Sequence, residues 1–203
     1  MAAAELAGMG INRTTLSQLV SQGYVERPVR GVYHVPGEGD DQRVYWAAIS
    51  LAYDCVFCLM SAASFHGLTE ESAGTPEVAI PVDARVPQRQ SLESRVDFHR
   101  WPGAALEADV ETVDIQGVAV RITSPARTVV DMFRHSTLNS ERGFPRSVLD
   151  TSFLDCLTRY LSDGDQDARS AELRRIAIEH GCWERVCEIV SVIQVTRARS
   201  MAY

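Results

Sequence analysis

The chain contains no lysine: all 20 of its basic residues are arginine. That absence excludes a phosphate loop ending in Gly-Lys-Ser/Thr, Schiff-base chemistry and a nuclease centre built on a lysine. A basic excess is missing too. Twenty-seven acidic residues leave a net charge of −7, which is not the charge of a generic polyanion binder. The amino terminus, Met1-Ala-Ala-Ala-Glu5, lacks the basic and long apolar regions of a secretory signal. The longest stretch poor in charge, between Arg43 and Glu70, still holds Asp54 and His66. Asp54 near mid-bilayer would cost roughly 2.5–3.5 kcal/mol, which its Ala, Ser and Tyr neighbours do not offset. The stretch therefore reads as two buried elements, with no membrane contact. Five cysteines, an odd number spread through apolar segments, argue for reduced thiols and a cytoplasmic location.

What is present suffices for a core: 203 residues with 45% hydrophobic side chains suit one domain or two small ones. Residues 1–37 form a first unit ending at Pro36-Gly37. It carries Arg13, Arg27 and Arg30 against Glu5 and Glu26, net +1, so the rest of the chain holds −8. Downstream, 42–53 has helical spacing through Val44, Ala47, Ala48 and Leu51. Residues 55–59 read as a short buried strand, and 61–66 as a helix capped by Ser61 and ended by His66-Gly67. Strands are expected at 76–82 and 95–101. The clearest hairpin turns at Gln116-Gly117, between Val113, Ile115 and Val118, Val120, Ile122. Ser124-Pro125 opens a helix whose buried face is Val129, Val130, Met132 and Phe133, with Arg127 and Asp131 as a surface pair. Helices are expected over 145–162, 166–180 and 182–196. The fold class is α+β, a mixed α/β body at 42–135 with a helical third at 145–203.

The first unit has the layout of a winged helix-turn-helix. A helix over 2–9, a break at Gly10 and a second helix over 13–22 closed by Gly23 place the second helix to enter a major groove. Leu16, Leu19 and Val20 share its inner face. Arg13, Thr14, Ser17, Gln18 and Ser21 lie mostly on the other, which holds no carboxylate. A β-like run with a turn at Pro28-Val-Arg-Gly31 follows, and puts Arg27 and Arg30 near a hairpin tip. The expected DNA-binding residues are Asn12, Arg13, Thr14, Thr15, Ser17, Gln18, Arg27 and Arg30. Arg13 would pair with a guanine and the wing arginines with phosphates, so that affinity falls steeply with salt.

Three blocks carry a family resemblance: Gly10–Gly23 with Arg30-Gly-Val-Tyr-His-Val-Pro-Gly37, Cys58-Leu-Met-Ser-Ala-Ala-Ser-Phe-His-Gly-Leu68, and Ser124-Pro-Ala-Arg-Thr-Val-Val-Asp-Met-Phe-Arg134. In order and spacing, over about residues 3–135, the chain resembles the AbiEi-family antitoxins. The resemblance implies a transcriptional autorepressor and antitoxin of a type IV toxin–antitoxin (abortive infection) operon. Its winged unit at 1–37 would bind the double-stranded DNA of its own promoter, as copies on an inverted repeat, and residues 42–203 would form the antitoxin domain. The toxin countered would be nucleotidyltransferase-like, opposed functionally and without a requirement for direct contact. Such winged units usually have a further helix before the pair, and this chain starts too late to hold it. Leu6, Leu16 and Leu19 would then lose cover at about 1.5–3 kcal/mol each, unless the second domain covers that face or the start codon lies upstream of Met1.

Other constellations read as structure. Cys55-x2-Cys58 has the spacing of a zinc half-site, but its companions would be the loose pair Cys182 and Cys187, so no metal is expected. Ser61, Ser64, His66 and Glu70 lack a nucleophile elbow. Glu77 and Asp83 stand about 20 Å apart on a straight strand, with Asp97 on the next, and no nucleotidyltransferase signature precedes them. Asp163-Gly-Asp-Gln-Asp167, with Asp155 upstream, reads as a helix connection. Arg169, Arg174, Arg175 and Arg185 are interleaved with Glu172, Glu179, Glu184 and Glu188. No cofactor and no enzymatic activity are expected. Two alternatives stay open: a metal-dependent nuclease or nucleotidyltransferase targeted by the N-terminal unit, and a ligand-responsive repressor with no toxin partner.

Overall fold

The computed structural model describes residues 1, 3–29, 31–37, 41–71, 74–86, 96–115, 117–141 and 151–200. It is a mixed α/β chain, as expected, that divides into two compact units. One comprises Met1–Phe57 with Thr75–Ile122, and the other Cys58–Gly74 with Thr123–Tyr203.

The first unit opens with α1 (Ala3–Gly8) and α2 (Arg13–Ser21), then the two-stranded antiparallel β1 (Glu26–Val29) and β2 (Val32–His34). Gly10 at φ +85° and Gly31 at φ +88° make the two tight reversals, both in the left-handed region that suits a residue without Cβ. Helix α3 (Asp41–Ala52) packs against both β1 and β2. Leu6 and Leu16, expected to lack cover, are buried, and Leu19 is half-buried. Tyr33 exchanges both backbone hydrogen bonds with Met1, at 2.9 Å each, which ties residue 1 to β2. In α3 the inner residues are Val44, Trp46, Ala47, Ala48 and Ile49, whereas Leu51 is exposed. The helix is covered on more of its circumference than one stripe, because the Trp46 ring stacks on Phe57 with centroids 4.9 Å apart.

The larger sheet has the order β5-β4-β3-β7-β6, from β3 (Val56–Phe57), β4 (Glu77–Pro81), β5 (Asp97–Trp101), β6 (Val110–Ile115) and β7 (Val118–Thr123). Strand β3 runs antiparallel to β4 and parallel to β7, with Phe57 opposite Ile122. The central strands are apolar on both faces: Val56, Phe57, Val78, Ala79, Ile80, Val120 and Ile122 are all buried. The β6–β7 turn forms where expected, with Gly117 at φ +79° and its N–H donating to Asp114 Oδ1 at 3.1 Å.

Just before β3, burial and then the Asp54 carboxylate push the Cys55 thiol from its ordinary 9 up to about 12, against the pull of Arg121. A folded value above the unfolded one means that this contribution is complete below pH 9. It is lost as pH rises from about 9 to about 12, where the unfolded chain ionises first. Burial raises Tyr45 and Tyr53 in the same direction. Urea midpoints are therefore expected to fall on going from pH 8 to pH 10.5, with a shallower fall in Cys55→Ala. An equal fall in the variant would dissociate Cys55 from the alkaline loss.

The second unit is helical: α4 (Leu59–Phe65), α5 (Pro125–Glu141), α6 (Thr151–Tyr160), α7 (Gln166–Glu179) and α8 (Trp183–Ser200). Helix α5 is its centre, packed by α4, α6 and α7. Helix α6 presents Phe153, Cys156, Leu157 and Tyr160 inward at helical spacing, and Phe153 meets Phe133 of α5 with centroids 5.3 Å apart. Residues 145–150 of the expected helix 145–162 lie outside the described residues. Asp165 caps α7 by accepting from the N–H groups of Asp167 and Ala168, which accounts for part of the acidic connection.

Two local expectations need correction. The strand expected over 55–59 is only Val56–Phe57, because Leu59 turns to φ +49° and starts α4 two residues before Ser61. Ser61 is consequently buried inside the helix, and the cap position belongs to Cys58, which makes no side-chain cap.

Candidate nucleic-acid interface

Asn12 is the N-cap of α2. Its Oδ1 accepts from the Thr15 backbone N–H at 2.9 Å and from the Thr15 hydroxyl at 3.2 Å. With that oxygen engaged, the amide NH2 is the group Asn12 can offer to a partner. At about 100° per residue, Arg13, Thr14, Ser17, Gln18 and Ser21 spread over one broad side of the helix. All five are exposed, while Leu16 is buried on the opposite side. Thr15, also exposed, falls outside that arc. No acidic residue lies between Glu5 and Glu26, so the exposed face of α2 is cationic and polar without a carboxylate to repel phosphate. The first turn of α2 adds the positive end of its dipole, with no acidic side chain to neutralise it.

Arg27 is exposed on β1, one residue after Glu26. Arg30 lies outside the described residues. The strands pair Val29 with Val32, so the connection is two residues long, and a register shift follows toward Glu26 and His34. His34 Nε2 stands 3.6 Å from Glu26 Oε2. Tyr24, between α2 and β1, exposes its ring, a feature that sequence patterning did not single out.

The other constellations separate. Glu77 and Asp97 are direct neighbours across β4 and β5, and the Glu77 carboxylate meets His99 Nε2 at 3.2 Å. Asp83 lies past the end of β4. Cys55 and Cys58 are both buried free thiols. Among the described residues no group of three or more His, Cys, Asp or Glu side chains is placed to hold a metal ion. His66 turns to the Thr123 carbonyl at 2.7 Å. A groove of about 640 Å³ between α5 and the α7–α8 junction is lined by residues including Phe133, Ile178, Cys182 and Trp183. Burial raises the Cys182 thiol, with Arg134 pulling the other way, and a protonated thiol is a weak nucleophile.

Arg127 and Asp131 are not the surface pair expected. They are 1% and 4% exposed, and Arg127 Nε donates to Asp131 Oδ2 at 2.8 Å. The same end of α5 holds further buried polar groups: Thr128 Oγ1 donates to the Ser124 carbonyl, and its hydroxyl stands 2.8 Å from that of Thr123. Arg134 Nη1 lies 3.6 Å from Asp131 Oδ1 and 3.1 Å from His180 Nδ1, tying α5 to the end of α7. Thus the block 124–134, read above as one of three shared segments, is a helix whose polar side chains are satisfied inside the unit.

Residues 55–181 match the family model of the AbiEi antitoxin C-terminal domain. The chain belongs to the AbiEi antitoxin family. The antitoxin role that this membership brings rests on a match beginning at residue 55 and running through the block 124–134. Residues 1–37, with α1, α2, β1 and β2, lie before that match, so a DNA reading of the antitoxin depends on those residues alone. The family is generally non-enzymatic. Among solved structures, the RV2827C protein from Mycobacterium tuberculosis is similar at 19% identity and a TM-score of 0.48, over 85% of this chain and 75% of that one. No curated protein matches. Among the described residues of the antitoxin, no helix is long and apolar enough to cross a membrane.

Proposed function

We propose that this antitoxin is also a DNA-binding autorepressor of a type IV toxin–antitoxin operon, countering a nucleotidyltransferase-like toxin from the cytoplasm without catalysis of its own. The observation that carries the DNA reading is the exposed, carboxylate-free side of α2. It is built from Arg13, Thr14, Ser17 and Gln18 over a buried Leu16, with exposed Arg27 on the strand that follows. Arg13, on the first turn, suits a bidentate pair with a guanine edge, and the short hydroxyls and amide suit close approach to phosphates and bases. Arg27 and Arg30 belong to the wing and would contact the backbone. Few arginines serve one copy, so two copies on an inverted repeat of the protein's own promoter fit the arrangement. The unit at 1–37 is then the reader, and 42–203 carries the antitoxin activity toward the toxin or its target.

The test is binding to the DNA upstream of the gene, read by gel shift at fixed salt. Arg13→Ala is expected to lose affinity about 10- to 100-fold on the operator and far less on unrelated DNA. Arg27→Ala should weaken both DNAs alike and lower the slope of log K against log salt by about 1. Unchanged binding in both variants would remove the DNA reading. The toxin partner is tested separately, by whether co-expression of the chain relieves the growth arrest caused by the adjoining reading frame.

A further inference from the structure

Helix α8 has two apolar sides, and among the described residues only one of them meets its own unit. Val186 and Val190 are buried and α8 packs on α7, whereas Val192 and Val195 are 65% and 55% exposed. At about 100° per residue, positions 188, 192, 195 and 199 fall on one stripe, on the far side of the helix from 186 and 190. Read along that stripe, the residues are Glu188, Val192, Val195 and Arg199: an acid, two valines and a base.

We propose that this stripe is a self-docking surface, on which α8 of a second copy lies antiparallel under twofold symmetry. An antiparallel pair centred between 192 and 195 sets Val192 of each copy opposite Val195 of the other. The same register sets 188 opposite 199 at both ends, so two acid–base pairs flank four valines. Reversing the second helix would put like charges at both ends, which disfavours the parallel arrangement. The self-complementarity is the property a twofold interface requires, the same patch meeting itself, and the flanking charges fix direction in the way that they do in coiled coils. The stripe spans about 16 Å of helix. The contact is therefore small, and the dimer belongs to the weak class of interfaces below about 1,200 Å².

Sedimentation of the full chain without DNA tests this, and so reads independently of the operator experiment. The wild-type chain is expected to shift from monomer toward dimer as concentration rises to about 300 µM, in the range of weak, transient interfaces. Val195→Glu should raise the dissociation constant at least tenfold. Glu188→Arg and Arg199→Glu alone should each do the same, since each opposes like charges. The double variant Glu188→Arg with Arg199→Glu should return to within about threefold of the wild type, because swapping both ends restores both pairs. Glu188 and Val195 are exposed on α8, and unchanged circular dichroism will confirm that each variant is folded. A wild-type chain that stays monomeric across the range, or a double variant as weak as the single ones, would overturn the proposal.

Discussion

Replacing Asp131 by Ala is expected to lower the unfolding free energy of the helical unit by about 3–5 kcal/mol, the usual effect of removing one partner of a buried ion pair. Arg127 is 1% exposed and cannot reach bulk water while α5 keeps its place among α4, α6 and α7. Its guanidinium would then stay charged and lose the carboxylate at 2.8 Å. Arg134 would lose a partner at 3.6 Å as well, loosening its tie between α5 and His180. A control separates the charge effect from simple loss of volume. Arg127→Met with Asp131→Leu removes both charges and is expected to be within about 2 kcal/mol of the parent, or more stable, because no unpaired ion is left buried. Urea unfolding followed by far-ultraviolet circular dichroism measures both. A midpoint for Asp131→Ala equal to that of the parent would show that the pair does not hold α5. The growth-rescue assay adds a functional reading: if the antitoxin domain acts as a folded unit, rescue should fail in Asp131→Ala and persist in the double variant.

The second large effect lies at Phe153. Its ring is fully buried on α6 against Phe133 of α5, and Cys156, Leu157 and Tyr160 continue the same face. Phe153→Ala is expected to cost about 3–5 kcal/mol, from lost transfer free energy plus the cavity left where the ring was. The loss should appear first as faster amide exchange over Thr151–Tyr160, since Phe153 is the first buried anchor of that helix. The far end of α6 is held independently: the Tyr160 hydroxyl donates to the Arg169 carbonyl at 3.1 Å, and Arg169 returns a hydrogen bond to the Tyr160 carbonyl. Exchange that quickens equally along the whole of α6 and α7 would show instead that the two helices open together. Phe153→Leu, which keeps most of the volume, should recover more than half of the loss.

Much of the scaffold was legible because periodicity and turn chemistry are local. The helix over 13–22 appears as Arg13–Ser21 with Asn12 as its cap, since an asparagine before a polar and apolar repeat satisfies the orphan N–H groups without tertiary help. The hairpin at Gly117 and the helix opened by Ser124-Pro125 form for the same kind of reason. Most of the places where pattern reading failed depend on contacts from distant segments. Arg127 and Asp131 have the spacing of an exposed ion pair, and only the packing of three other helices around α5 turns them inward. A hint existed in the sequence, because between Ile122 and Phe133 these are the only two charges in an otherwise apolar or small-residue segment. The loss of cover expected at Leu6 and Leu16 in the absence of a preceding helix does not occur. They are buried, in a unit where α3 packs on β1 and β2. The start of α4 could not be read at all, since a leucine at φ +49° follows no propensity.

The sequence alone determined the order of elements, the mixed α/β class, the family blocks and the carboxylate-free face of α2. Each follows from residue spacing along the chain, and hydrophobic burial, capping and charge act there at ranges of three or four residues. Tertiary structure decided the strand order β5-β4-β3-β7-β6, the neighbouring of Glu77 with Asp97, the burial of Arg127 and Asp131, and the exposure of Val192 and Val195. Those outcomes depend on which surfaces meet across tens of residues. At these positions solvent exposure is set by neighbours distant in sequence, which the local repeat does not encode.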